Sequence, residues 1–277
     1  MTPEQKYFFD LTGYLHLEGV VTGDALAQAQ AAADRYMQVS DEDLPPGFHV
    51  NRLRNHFIWH LYGFAFDRVL EALTQHPKVW PIVKALMNDR PRLTSGNLMV
   101  NNHTHEFHPL HSARESPSKG PEAPYYLARD GKCLCDHLVV FFYLTDVYEG
   151  DGGLIILPGS HKSAFDRPEG FFYPGSRTPE GGYNPDYVSY DVPPGVLNVL
   201  PKAGDVVMIS EMVTHGALSW KPRDRDRRFL TLRYMPQFVM PLNEFPDEIV
   251  ERLLPETQEL IATASYSQIK EIVQTEN

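Results

Sequence analysis

His137-Leu-Val-Val-Phe-Phe-Tyr-Leu-Thr-Asp-Val-Tyr-Glu-Gly-Asp-Gly-Gly-Leu-Ile-Ile-Leu157 reads as two short apolar strands with a turn-rich loop between them. The first run, His137 to Thr145, contains Leu138 to Leu144, the longest apolar stretch in the chain. It is rich in β-branched and aromatic side chains, which suit a strand. Glu149-Gly-Asp-Gly-Gly then breaks the pattern, and Leu154 to Leu157 resumes it. Moving outward, similar runs occupy Leu93 to Val100, Val206 to Ile209 and Phe229 to Met235, separated by loops such as Pro158-Gly-Ser.

The flanks have a different texture. A short extended piece, Tyr14 to Val21, leads into Thr22-Gly-Asp, a helix start, and an alanine-rich segment that ends near Met37. Phe66 to Gln75 and Pro77 to Asn88 carry apolar residues at helical spacing, and the tail from Phe245 is helical again. Helices first and last with short strands between predict a mainly β fold with flanking helices, a barrel or jelly roll with the helices packed on one sheet. No stretch reads as a domain linker, so residues 1–277 are expected to form one domain.

Twenty-five basic against 36 acidic side chains, a formal charge of −11, argue against a phosphate-backbone binder and so against a nucleic-acid partner. The longest apolar run is far short of the ~20 residues that span a bilayer, and the N-terminus lacks the layout of a secretory signal. Cys133 and Cys135 stand two apart in an extended segment, too widely spaced for an easy disulfide. A reduced, structural pair in the cytoplasm is the expectation. Nothing in the pattern bears on oligomeric state.

The chemistry is carried by histidines. Of 12 in the chain, His103, His105, His108 and His111 fall within nine positions; each taken alone reads as part of a polar surface loop, while the cluster as a group is equally consistent with a metal ligand among them. About a hundred residues on, a strand from Gly204 to Ser210 is followed by Glu211-Met-Val-Thr-His215-Gly, which sets a histidine just past the strand end. Arg227 opens the next strand, Arg-Arg-Phe-Leu-Thr-Leu-Arg-Tyr. Two imidazoles and a guanidinium in this order suit Fe(II) with a bidentate keto acid whose far carboxylate meets the arginine. Spacing alone favours a surface ion pair of Arg227 with Asp224 or Asp226 over that role. Strand alternation groups Arg227, Phe229, Thr231 and Arg233 on one face and Arg228, Leu230, Leu232 and Tyr234 on the other. The second set suits packing beneath helices, which favours Arg227 over Arg228 for a pocket.

Three segments in order carry a family resemblance: the opening Phe8-Phe-Asp-Leu-Thr-Gly-Tyr-Leu-His-Leu-Glu-Gly-Val-Val21, the run Phe142 to Lys162 ending in Leu-Pro-Gly-Ser-His-Lys, and Gly204 to Tyr234. The chain resembles the phytanoyl-CoA dioxygenase family of non-haem iron, 2-oxoglutarate-dependent oxygenases over nearly its whole length. The resemblance implies a double-stranded β-helix (a cupin-like jelly roll), Fe(II), 2-oxoglutarate and O2 as cofactors, and hydroxylation of a C–H bond in a small-molecule substrate. It implies His111 and His215 as metal ligands, Arg227 as the 2-oxoglutarate anchor with Thr231 adding a hydroxyl, and His161 as a turn-stabilising residue.

One position departs from the family pattern. Its His-x-Asp or His-x-Glu motif corresponds here to His111-Ser-Ala113, with alanine where the carboxylate belongs. Three expectations stand side by side. Glu115 in the same loop or Asp136 at the next strand supplies the oxygen ligand; the position stays open to chloride or water, as in related halogenases; or iron binding is weak and the protein is a non-catalytic metal- or ligand-binding barrel. A two-histidine hydrolytic zinc site is a further alternative. The aromatic-rich segment Phe165 to Tyr190 (Phe171, Phe172, Tyr173, Tyr183, Tyr187, Tyr190) is either a substrate lid or a loop packed on the barrel. No Walker pattern, Gly-rich phosphate loop or serine nucleophile elbow is present.

Overall fold

The computed structural model describes residues 1–52, 57–104, 107–115, 126–168, 170–180, 182–240 and 244–274. The strands are β1 (Tyr14–Leu17), β2 (Val50–Arg52), β3 (Ile58–His60), β4 (Pro91–Asn101), β5 (His108–His111), β6 (Tyr126–Arg129), β7 (Lys132–Cys135), β8 (Leu138–Tyr143), β9 (Gly153–Leu157), β10 (Leu197–Asn198), β11 (Val206–Ser210), β12 (Thr214–Leu218) and β13 (Arg227–Pro236). The helices are α1 (Pro3–Thr12), α2 (Gly23–Gln38), α3 (Gly63–Phe66), α4 (Arg68–Ala72), α5 (Trp80–Leu86), α6 (Asp247–Val250), α7 (Pro255–Ile261) and α8 (Glu271–Gln274). The larger sheet runs β1-β11-β8-β13-β4-β3-β2 and the smaller β10-β9-β12-β5, with β6 and β7 forming a separate hairpin. Both main sheets are antiparallel throughout, and the architecture is a jelly roll with flanking helices.

The continuous apolar run of β8 is explained by burial on both sides. Leu138, Val140 and Phe142 join Leu230 and Leu232 of β13 in the core beneath the helices. Val139, Phe141 and Tyr143 instead face the interior between the sheets, with Ile156 of β9 and Phe229 of β13. In α2, Ala29, Ala32, Ala33 and Tyr36 form the buried stripe that packs on the sheet, at spacings of three and four. α1 begins with a capping box between Thr2 and Gln5 and ends at Gly13, whose φ of 81° closes the helix.

Some elements differ from expectation. Pro81 starts α5 only at Trp80, and Asn88 and Asp89 turn left-handed after it, so the helix is shorter than Pro77 to Asn88. His215, expected just past a strand end, lies beyond β11 and near the start of a further strand of its own, β12. The thiols of Cys133 and Cys135 are free, and burial pushes that of Cys135 up to about 12. Among the described residues no helix is long and apolar enough to cross a membrane.

Candidate metal centre

β5 and β12 pair so that His111 and His215 are register partners, with ring centroids 4.2 Å apart. Gly216 allows this approach: a Cβ there would lie 2.5 Å from the carbonyl oxygen of His108 and 3.1 Å from the amide of Leu110. In each histidine a main-chain carbonyl two residues back fixes the tautomer. Nδ1 of His111 meets the Pro109 oxygen at 2.9 Å, and Nδ1 of His215 meets the Val213 oxygen at 2.8 Å. A carbonyl can only accept, so each Nδ1 carries a proton and each Nε2 is the nitrogen left to meet a metal. Burial, with His215 alongside, pushes His111 down to about 3, so it stays neutral at physiological pH.

A third donor converges on the pair. Glu211 follows β11, and one donor atom from each of His111, Glu211 and His215 lies within 4.8 Å of the others. Glu211 Oε1 accepts from Arg233 Nη1 at 2.8 Å, while Oε2 lies 4.0 Å from His215 Nε2 and is buried with no hydrogen-bond partner. Burial alone would raise this carboxyl's pKa, but Arg233 and the neighbouring histidines hold it well below the usual carboxylate range. Two imidazole Nε2 atoms and a buried carboxylate oxygen without a hydrogen-bond partner fit a divalent cation of the iron type. Sequence reasoning missed Glu211. The signal available was a carboxylate four residues before His215, obscured because it lies 100 positions along the chain from His111.

The two acids expected near Ala113 are placed elsewhere. Glu115 takes a two-pronged ion pair from Arg167, at 3.0 and 2.9 Å, in a separate cavity of about 350 Å³ that also contains Phe165 and Phe171. Asp136 stands outside the converging group. Of the clustered histidines, His103 is exposed and His105 falls outside the described residues. His108 meets His111 edge to face at 4.7 Å between ring centroids, beside the group but not in it. His161 is buried away from the centre, its Nε2 meeting the Asp10 carbonyl at 3.2 Å and its ring against Tyr126, a contact that ties β9's end to α1.

Arg227 is 2% exposed in a cavity of about 370 Å³ that it shares with His111, His215 and Thr231. Its guanidinium lies 5.3 Å from the ring of Phe57 and 5.0 Å from that of Phe229. It forms no ion pair among the described residues, and its Nε has no hydrogen-bond partner. The competing ion pairs go elsewhere: Asp224 to Arg225 at 3.5 Å and Asp226 to Arg228 at 3.7 Å, while Arg228 also reaches Asp34 on α2 at 2.6 Å. Thr231 Oγ1 is likewise buried without a partner. An unpaired cation beside an unpaired hydroxyl in a buried pocket is a poor arrangement for stability and a good one for receiving a carboxylate. The aromatic segment divides: Tyr173 and Tyr187 pack on Phe107, whereas Tyr183 meets His108 edge to face and lines the central cavity.

A family model of phytanoyl-CoA dioxygenase (PhyH) matches residues 9–224, a span that contains His111, Glu211 and His215. The chain belongs to the phytanoyl-CoA dioxygenase family. It is therefore an Fe(II)- and 2-oxoglutarate-dependent enzyme that uses O2, an oxidoreductase. Solved structures agree in fold. HygX from Streptomyces hygroscopicus, with nickel and 2-oxoglutarate bound, superposes with a TM-score of 0.67 at 22% identity over 88% of this chain and 90% of that one. HygX with nickel, 2-oxoglutarate and hygromycin B gives 0.66 at 21% identity over 96% of each chain. The 2-oxoglutarate-dependent carbocyclase SnoK from nogalamycin biosynthesis gives 0.62 at 19% identity over 92% of each. A search of the curated proteins matched none.

Proposed function

We propose that this member of the family hydroxylates a C–H bond of a small-molecule substrate within one catalytic domain, residues 1–277. The observation that carries the reading is the buried, unpaired guanidinium of Arg227 in the same cavity as the two metal-facing imidazoles. Bound iron(II) and 2-oxoglutarate would activate O2, the oxidant that breaks the C–H bond, with the keto acid supplying two electrons. The chain's own part is binding and shielding. His111 and His215 hold the metal through Nε2, and their carbonyl-bound Nδ1 atoms fix ring orientation. Arg227 and Thr231 receive the outer carboxylate of 2-oxoglutarate, and Phe57, Phe229 and Tyr143 exclude water around that ion pair.

The remaining wall bears on the substrate. Trp59, Met99 and Tyr183 offer apolar and aromatic surface, with Ser95 and Asn97 as polar contacts. That mixture suits a compact metabolite with a hydrophobic part and hydroxyl or amino groups. The structurally similar HygX has been crystallised with hygromycin B, which supports a small-molecule substrate. The free thiols suit a reducing cytoplasm.

The test is anaerobic titration of the apoprotein with Fe(II) and 2-oxoglutarate, followed by the visible charge-transfer band. A band that requires both partners and fades in His215→Ala and Arg227→Ala is expected. Its absence at millimolar keto acid would leave a barrel with the fold and without the chemistry. Succinate release, with a one-oxygen mass gain in a supplied metabolite, then separates hydroxylation from other outcomes.

A further inference from the structure

We infer that Glu211 supplies the metal-binding carboxylate that position 113 lacks, so that the ligand set is His111, His215 and Glu211 and Ala113 does not mark an open seat for halide. The inference rests on the functional reading above, since it concerns the same centre. Its first support is adjacency across the fold. The amide of Ala113 donates to the carbonyl of Glu211 at 2.8 Å, so the two residues are neighbours although 98 positions apart. A carboxylate carried by residue 211 enters the centre from beside the place where one on residue 113 would start.

The second support is the state of the carboxylate. Arg233 engages Oε1 at 2.8 Å, whereas Oε2 is buried, unpartnered and turned toward His215 Nε2 at 4.0 Å. An ion pair of purely structural purpose would not leave a buried anionic oxygen bare, because that oxygen has lost water and gained nothing. A divalent cation between Oε2 and the imidazoles meets that need. The third support is local fixation. The amide of Glu211 donates to the His137 carbonyl at 2.9 Å, so the backbone is tied to β8 on one side and to the Ala113 turn on the other. With Oε1 occupied by Arg233, the carboxylate offers one oxygen. Two nitrogens and one oxygen make the two-histidine, one-carboxylate face of non-haem iron oxygenases, with the remaining positions open. The alternative acid of the 113 loop, Glu115, is committed to Arg167.

The experiment is calorimetric titration of the full-length apoprotein with Ni(II) in chloride-free buffer and again in chloride, for wild type, His215→Ala and Glu211→Gln, with melting curves as a fold check. Wild type is expected to bind Ni(II) with an affinity that chloride leaves unchanged. Glu211→Gln, nearly the same shape, is expected to bind at least about tenfold more weakly, since even partners outside the ligand set are worth that much. Chloride is expected to recover part of the loss by filling the vacated seat. A Glu211→Gln protein that binds as wild type, beside a His215→Ala protein that does not, overturns the inference alone. Chloride-tightened Ni(II) binding in wild type also overturns it, and that measurement needs no variant to fold. A wild type that takes no Ni(II), or a His215→Ala protein that binds as wild type, overturns the functional reading and this inference together.

Discussion

A Cβ added to Gly153 would lie 2.8 Å from Nη1 of Arg227 and 3.3 Å from its Cδ. The glycine at the head of β9 thus leaves the volume in which the arginine side chain folds over the rings of Phe57 and Phe229. Its φ of 85° adds a second reason for glycine, because a side chain there is strained whatever the space. Gly153→Ala is expected to displace the guanidinium and raise the KM for 2-oxoglutarate by about tenfold or more, a lost charge-assisted hydrogen bond being worth ~1.5–3 kcal/mol. Metal affinity, read by Ni(II) titration, should change much less. An unchanged KM would show that Arg227 does not meet the keto acid.

Replacing the arginine itself separates stability from function. Arg227 is a buried cation with no counter-ion among the described residues, and burial lowers its pKa. Such a group costs stability in the absence of an anion. Arg227→Met, similar in length and without charge, is expected to raise the melting temperature of the apoprotein by a few degrees while weakening 2-oxoglutarate binding about 10- to 100-fold. The wild type should gain stability on adding 2-oxoglutarate with metal, and the variant should not. A destabilised variant would mean that the guanidinium has a structural partner after all.

The assignment of β13 shows what was legible from the chain. Period-two alternation separates Arg227, Phe229 and Thr231, which line the cavity, from Leu230, Leu232 and Tyr234, which pack beneath the helices, because a strand in a sheet cannot rotate its faces locally. The helix α2 was legible for a different reason, its Thr22-Gly-Asp start and the alanine-rich segment behind it. The strands that carry the metal face were not. β5 contains Pro109, tolerated because β5 is the edge of its sheet. β12 contains Gly216, which the approach of β5 demands. Local propensity argues against both strands, and long-range pairing overrides it. Glu211 was hidden more deeply, since its nearness to Ala113 arises only when the turn after β11 folds against the end of β5.

That reading of Gly216 is testable. The atoms a new Cβ would meet are backbone, the His108 carbonyl at 2.5 Å and the Pro109 carbonyl carbon at 3.1 Å, so they cannot swing aside as a side chain would. Gly216→Ala is expected to push β5 away from β12 and separate the His111 and His215 rings. Ni(II) affinity should fall at least about tenfold, as misplacement of ligands by less than an ångström already matters. Because β5 is an edge strand, the melting temperature should drop only modestly. Metal binding at wild-type strength would show that the two histidines do not act together.

Acid should weaken the fold through histidines remote from the centre. Burial pushes His60 down to about 4, aided by Arg52, and pushes His161 down to about 4, aided by Lys162. His60 is 3% exposed with its Nδ1 unpartnered, and His161 is 1% exposed. In the unfolded chain both would titrate near 6.5. Between pH 6.5 and 4 the unfolded state therefore binds protons that the folded state refuses, and the stability difference falls as pH falls. Their contribution is full above pH 6.5 and declines by up to about 1.4 kcal/mol per pH unit for each residue through that window. Urea midpoints of the apoprotein at pH 7, 6 and 5 should decline steadily, before most carboxylates protonate. His161→Gln, which keeps a side-chain amide to donate to the Asp10 carbonyl but cannot gain a charge, should make the decline shallower. Equal midpoints at pH 7 and 5 would mean that these imidazoles accept protons in place, and that the Asp10 carbonyl and the Tyr36 ring stabilise the cation more than burial disfavours it.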